Sequence, residues 1–228
     1  MQASLLCNPD LARLVADLTG DGHLQINGHR HIASFYSKDL DEIKEVKKRF
    51  YDLFQIKGKI HEDNRPVGKT QKPVKRYKIF FISKPVAIFL KDIGTPVGDK
   101  TNVPFLVPKW IIKGHSTLKK AYLQGLYDAE GSIFVANKRW QIALKMAKND
   151  LILTEGVKFF KQIKDLLKDF GVDSSPIVYH KLNLRKDGSN SSYIRICIEK
   201  RSFENFYRNI GFKQSKKQMK LIEAINLK

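Results

Sequence analysis

The 228-residue chain has only two cysteines, Cys7 and Cys197, and no CxxC pair. That excludes a disulfide framework and fits a reducing, intracellular setting. No apolar run approaches the ~18 residues of a membrane helix, and no charged-then-apolar targeting segment opens the chain. Acids are scarce: 23 Asp and Glu face 42 Lys and Arg, for a net charge of +19. Split at residue 114, the two parts carry +8 and +11, so the charge is not a detachable tail. A basic excess spread this evenly calls for a polyanionic partner, and nucleic acid is the expectation. No Ser-His-Asp or Cys-His arrangement is legible. His23, His29 and His31 share one hairpin, with a spacing that suits strand-face contacts better than a zinc site.

Two short segments end alike. Leu14-Val15-Ala16-Asp17-Leu18-Thr19-Gly20-Asp21-Gly22 closes on an acid and a glycine, as does Leu123-Gln124-Gly125-Leu126-Tyr127-Asp128-Ala129-Glu130-Gly131. Each has small residues four apart just before its acid: Ala16 and Gly20, then Gly125 and Ala129. Residues i and i+4 share a helix face, so two such helices can pack backbone to backbone. That packing would bring Asp21 and Glu130 together at helix C-termini, where free carbonyls and partial negative charge disfavour both acids. A divalent cation relieves this, and hard oxygen ligands suit magnesium.

The chain reads twice in the same order. Asn8-Pro9-Asp10 starts a helix that runs to Gly20. A hairpin follows around Asn27-Gly28, then an amphipathic helix over 39–54, a strand pair (57–62 and 75–82) and a short helix over 85–93. The second part opens with Ser116 capping a helix to Ala129. It continues with strands 132–136 and 140–146, a helix over 151–170, strands 177–184 and 193–198, a helix over 203–210 and a last helix over 215–225. The expected class is α+β, a tandem pseudo-twofold αββαββα repeat. The expected boundaries are 1–98 for the first repeat, 99–115 for the linker and 116–228 for the second.

These residues resemble the LAGLIDADG homing endonucleases of the single-chain, two-motif type. The nine-residue motif lies at 14–22 and 123–131, and Val107-Pro108-Lys109-Trp110-Ile111 is similar to the family's link segment. The first motif departs from the pattern at Asp17 and Thr19. The resemblance implies motif helices at the repeat interface and two antiparallel sheets forming a saddle on DNA. It further implies cleavage of double-stranded DNA by a monomer at a long site. Asp21 and Glu130 would be catalytic metal ligands, each serving one strand, with carbonyls of Gly20 and Ala129 as further ligands. Mg2+ is the expected metal, with Mn2+ as a substitute and Ca2+ supporting binding without cutting. The ends of the chain carry neither a splicing nucleophile nor a terminal His-Asn pair, so a free-standing, intron-encoded protein is expected. Rival readings on the same scaffold are an RNA-splicing maturase and a non-cleaving DNA-binding regulator.

Phosphodiester hydrolysis also calls for positive charge near the phosphate. Lys38 and Lys148 follow the first hairpin of each repeat. Lys100, and Lys213 or Lys216, follow the Ile-Gly turns. All are candidates. For DNA reading, alternation along the strands selects Gln25, Arg30, Arg76 and Lys78 in the first repeat. In the second it selects Arg139, Gln141, Lys145, Lys181, Asn183, Arg185 and Arg195. Two matching basic loops add Lys69 and Lys72, and Lys186. The two halves differ nearly everywhere outside the motifs, which predicts an asymmetric target.

Overall fold

The structure, a computed structural model, describes residues 5–63, 75–181, 184 and 188–226. Lys69, Lys72, Asn183, Arg185 and Lys186 lie outside the described residues. Helix α1 (Pro9–Thr19) begins as the sequence predicts: the Asn8 side chain accepts from the Asp10 amide at 2.8 Å, with proline in the first turn. Strands β1 (His23–Asn27) and β2 (Arg30–Ser37) follow, then α2 (Leu40–Phe54), β3 (Lys59–Asp63), β4 (Arg76–Ile82) and α3 (Lys84–Asp92). A short α4 (Lys109–Ile112) lies in the connection. The second repeat comprises α5 (Ser116–Ala129), β5 (Gly131–Ala136), β6 (Arg139–Asn149), α6 (Leu153–Lys168), β7 (Val178–Lys181), β8 (Ser191–Ile198) and α7 (Phe203–Asn209). Helix α8 (Ser215–Asn226) ends the described chain. Ser116 is the first helical residue of α5 rather than its cap; His115 holds that place, with no side-chain bond.

Each repeat forms one four-stranded antiparallel sheet, ordered β1-β2-β4-β3 and β5-β6-β8-β7. The shared order is the pseudo-twofold relation in its plainest form. Period-2 alternation sends one row of each sheet inward. In the first sheet Leu24, Ala33, Phe35, Ile79 and Phe81 pack on Ile43 and Phe50 of α2 and on Leu11, Leu14 and Leu18 of α1. In the second, Ile133, Ile142, Leu144, Ile194 and Ile196 pack on Phe159, Phe160 and Ile163 of α6. The opposite face of α1, Ala12, Val15 and Ala16, belongs to this second core. Helix α1 is thus apolar on two sides and joins the repeats.

Strand pairing decides the register of the first hairpin and corrects one expectation. The first hairpin turns at Gly28-His29, because Asn27 pairs with Arg30; Gly28 sits at φ +52°. His31 therefore lies opposite Ile26, and Gln25 lies opposite Ile32 on the outer face. In β7, Val178 pairs with Arg195 and Lys181 with Ser192. Directly paired residues share a face, so Lys181 belongs to the inner row with Ser192 and its neighbour Lys148, not to the expected DNA-facing row.

Candidate functional site

The small residues of the motifs do what their size permits. A Cβ added at Gly20 would stand 2.3 Å from Ala129 Cβ, and one at Gly125 would stand 2.7 Å from Ala16 Cβ. Such distances leave no room for a side chain, so α1 and α5 touch through their backbones. Glu130 Cγ lies 3.4 Å from that same added Cβ at Gly20, the residue before Asp21. The two motif acids therefore meet where the helices end.

Their electrostatics follow from crowding. Surrounding protein strips water from the Asp21 carboxyl and pushes it up to about 6, against the pull of Lys100 and Lys217. Glu130 is also pushed up to about 6, first by burial and next by the charge of Asp21 itself. The charge of Asp21 thus raises the cost of ionising Glu130, and Glu42 and Asp17 add to the upward shift of Asp21. The donors fit magnesium: two hard carboxylates that a dication would reconcile, at helix ends whose last carbonyls, including those of Gly20 and Ala129, lack intrahelical partners. Among the described residues no cluster of three or more His, Cys, Asp or Glu offers a competing metal centre.

Two lysines close the site. Lys100 Nζ donates to the carbonyls of Gly22 at 2.8 Å and Leu18 at 3.4 Å. Lys217 Nζ donates to the main-chain carbonyls of Asp128 at 2.5 Å, Gly131 at 2.7 Å and Tyr127 at 3.4 Å. Each ammonium caps the C-terminus of one motif helix, where a cation is favoured. Burial lowers the pKa of both, and the acids oppose that shift. Lys217 is the residue sequence reasoning missed. Lys213 was the expected partner of Lys100, but its side chain is exposed and only its amide is used, donating to Asp128 at 3.1 Å. Lys213 precedes α8, and within that helix position 217, not 216, reaches the motif.

The remaining candidates divide. Lys38 is exposed between β2 and α2. Lys148 is 2% exposed, a correction to its expected place at the site's periphery. Its Nζ donates to the carbonyls of Lys100 at 2.5 Å and Val103 at 3.0 Å and stands 3.6 Å from the Phe105 ring centroid. Burial lowers its pKa to about 8.

Asp17, the odd residue of the first motif, has a partner on each side. Arg13 Nε reaches it at 3.0 Å and Arg49 Nη1 at 2.8 Å, while Arg13 Nη2 reaches Asp128 across the helix interface at 2.8 Å. A cavity of about 160 Å³, lined in part by Arg13, Asp17, Glu42 and Asp128, runs from this network to Asp21.

The outer sheet faces are basic and aromatic. By register, Gln25, Arg30, Arg76 and Lys78 share the first face with Tyr36 and Phe80; Lys78 Nζ lies 5.2 Å from the Tyr36 ring centroid. Arg139, Gln141, Lys145 and Arg195 share the second, where Arg195 donates to Gln141 at 3.0 Å. A model of the LAGLIDADG-like domain matches residues 117–211. The homing endonuclease I-WcaI bound to its DNA recognition sequence superposes with a TM-score of 0.57 at 13% identity, over 90% of this chain and 81% of that one.

The chain has the LAGLIDADG fold. Similarity also extends to segments of longer proteins. The tRNA-splicing ligase RtcB of Pyrococcus furiosus is 27% identical over 216 residues, 91% of this chain and 21% of that protein. The DNA-directed RNA polymerase subunit Rpo1N of Methanocaldococcus jannaschii is 31% identical over 225 residues, 91% of this chain and 16% of that protein. The chain spans about a fifth or less of the length of these relatives. No described helix is long and apolar enough to cross a membrane.

Proposed function

We propose that this chain is a site-specific endonuclease that hydrolyses phosphodiesters of double-stranded DNA with a divalent metal, as a monomer. One observation carries the reading: two carboxylates from separate repeats meet at touching helix ends, each raised toward 6, with a lysine capping each helix. An ordinary capping acid would avoid a second acid. The resemblance to a ligase and a polymerase subunit supports no shared activity with either, because their named reactions differ and only a segment of each is matched.

Asp21 and Glu130 would hold magnesium, with the Gly20 and Ala129 carbonyls. A metal held there would supply an activated water and charge for the leaving oxygen. Lys100 and Lys217 place positive charge beside both acids, where the phosphate gains negative charge in the transition state. The outer faces, through Arg30, Arg76, Lys78, Arg139, Lys145 and Arg195, would engage phosphates and base edges. Those faces differ in residue at nearly every matched position, which favours an asymmetric target.

The test is a plasmid library carrying random inserts, incubated with the protein and Mg2+ or Ca2+. Discrete double-strand ends with Mg2+, and binding without cutting in Ca2+, are expected. Glu130→Gln should bind without cutting. A protein that binds but never cuts in Mg2+ or Mn2+, or a Glu130→Gln variant that cuts at full rate, would overturn the assignment.

A further inference from the structure

Each site lysine rides on a segment that follows the last helix of its own repeat. Lys100 lies beyond α3, and Lys217 lies beyond α7, on α8. Each segment is bonded to its own repeat, through the Gly98 amide on the Leu24 carbonyl at 2.9 Å and the Lys213 and Gln214 amides on Asp128 at 3.1 and 3.2 Å, and each also carries ties to the other repeat. The stretch around Lys100 is tied to the second repeat: Lys148 holds the Lys100 and Val103 carbonyls, the Asn149 amide donates to the Thr101 carbonyl at 2.9 Å, and Asn149 Nδ2 donates to Asn102 Oδ1 at 3.1 Å. The stretch leading to Lys217 is tied to the first repeat: Gln214 Nε2 donates to Glu42 Oε1 on α2 at 2.5 Å, and Ser37 braces the other Glu42 oxygen at 2.5 Å. The two ties use different chemistry, a buried ammonium on carbonyls and a carboxylate on an amide, yet both cross between repeats.

We propose that the two sites are cross-fastened: Lys148 and Glu42 are positioning residues, each holding the lysine segment of the opposite repeat against its motif helix. Lys148 acts on the main chain of Lys100 itself, so losing it frees the residue whose side chain caps α1. Glu42 acts three residues before Lys217, at the entry to α8. Two properties follow. The lysines are set only when the repeats are docked. A weakened tie also loosens one lysine and spares the other.

The catalytic consequence rests on the endonuclease reading, but the tie does not, so the first measurement needs no DNA. Pulse acetylation with an amine-reactive succinimidyl ester, mapped by mass spectrometry, reports the accessibility of each lysine. In Lys148→Met, labelling of Lys100 should rise about tenfold or more, the scale of a lost hydrogen bond to a charged group, while Lys217 stays protected. Lys148→Arg, which keeps a cation beneath the same carbonyls, should restore protection. Glu42→Ala should expose Lys217 and leave Lys100 alone. If Lys148→Met fails to fold, Asn149→Ala tests the same tie and should expose Lys100 to a smaller degree. Unchanged labelling of Lys100 in the Lys148 or Asn149 variants, or equal exposure of both lysines in every variant, would overturn the proposal. On a cleavable supercoiled plasmid, Lys148→Met and Glu42→Ala should accumulate open circles nicked in opposite strands. Nicks in one and the same strand would also refute the crossing. If the protein cuts no DNA at all, the endonuclease reading falls, and the labelling pattern still decides the ties.

Discussion

The two motif helices share a backbone path but differ in how they satisfy their charges. Helix α5 carries one interfacial acid, Asp128, held by Arg13 and by the amides of Lys213 at 3.1 Å and Gln214 at 3.2 Å. Helix α1 has Thr19 at the matching position, with its hydroxyl turned back to the Val15 carbonyl at 2.7 Å. Its acid sits two residues earlier, at Asp17, where α5 has the apolar Leu126. Small residues, terminal acids and capping lysines keep their places in both helices; charges off that axis do not. Pseudo-symmetry survives where backbones touch and where the two terminal acids meet. Elsewhere each repeat has found its own partners.

The largest expected effect tests the shared part. Asp21→Asn and Glu130→Gln should each lower double-strand cleavage by about a thousandfold, the upper range for removing one group that stabilises developing charge. Equal losses, measured on a cleavable plasmid, would make the two ends equivalent despite their different acids. A variant that retains full cutting would remove its acid from the centre.

The unshared part predicts a loss of stability instead. Asp17→Leu copies the second motif into the first but strands Arg13 and Arg49, both nearly buried. Breaking a buried ion pair from one side costs about 3–5 kcal/mol, read as a shift in the denaturant midpoint. A neutral result would mean that Asp128 and Asp10 suffice for the two guanidiniums. A smaller effect belongs to the contact itself. Gly20→Ala puts a methyl 2.3 Å from Ala129 Cβ, so the helices must part, at a cost of about 1–3 kcal/mol. Gly28→Ala meets no atom within 4 Å and costs only its left-handed backbone, which makes it a control for loss of glycine alone.

Much of this was legible in the sequence, for reasons that differ by element. The motif pair was visible because an acid–glycine end recurs after small residues spaced four apart, a pattern set by backbone contact. The order of elements along the chain followed from the repeat, and the inward rows of β4, β6 and β8 from strict alternation. The turn at Gly28-His29 was not legible, since Asn27-Gly28 is the stronger local signal and only pairing across the sheet chooses between them. Lys181 was assigned to the wrong row because a short edge strand takes its register from β8, not from its own pattern. Lys217 and Lys148 were hidden by abundance: in a chain with 42 basic residues, only three-dimensional placement separates a buried ammonium from a surface one. A signal did exist for Lys217: it stands six residues after Gly211, as Lys100 stands six residues after Gly94.

The smallest effect is a pH dependence that follows from the raised acids. Asp21 and Glu130 both have folded-state pKa values of about 6, above their ordinary 3.8 and 4.5. A group raised on folding favours the native state fully below its unfolded pKa and loses that contribution as pH climbs through the folded value. Metal-free protein should therefore lose stability between roughly pH 4.5 and 6.5, by a few degrees of Tm for a chain of this size. Asp21→Asn and Glu130→Gln should each flatten that slope, and each should melt above the parent at pH 7 without metal. Added Mg2+ should raise the Tm of the parent more at pH 7 than at pH 5, because protons and the cation compete for the same oxygens. A Tm that rises from pH 4.5 to 6.5 in the metal-free parent, unaltered in both variants, would mean that the two carboxylates do not strain one another and that the helix ends are not built around a shared cation.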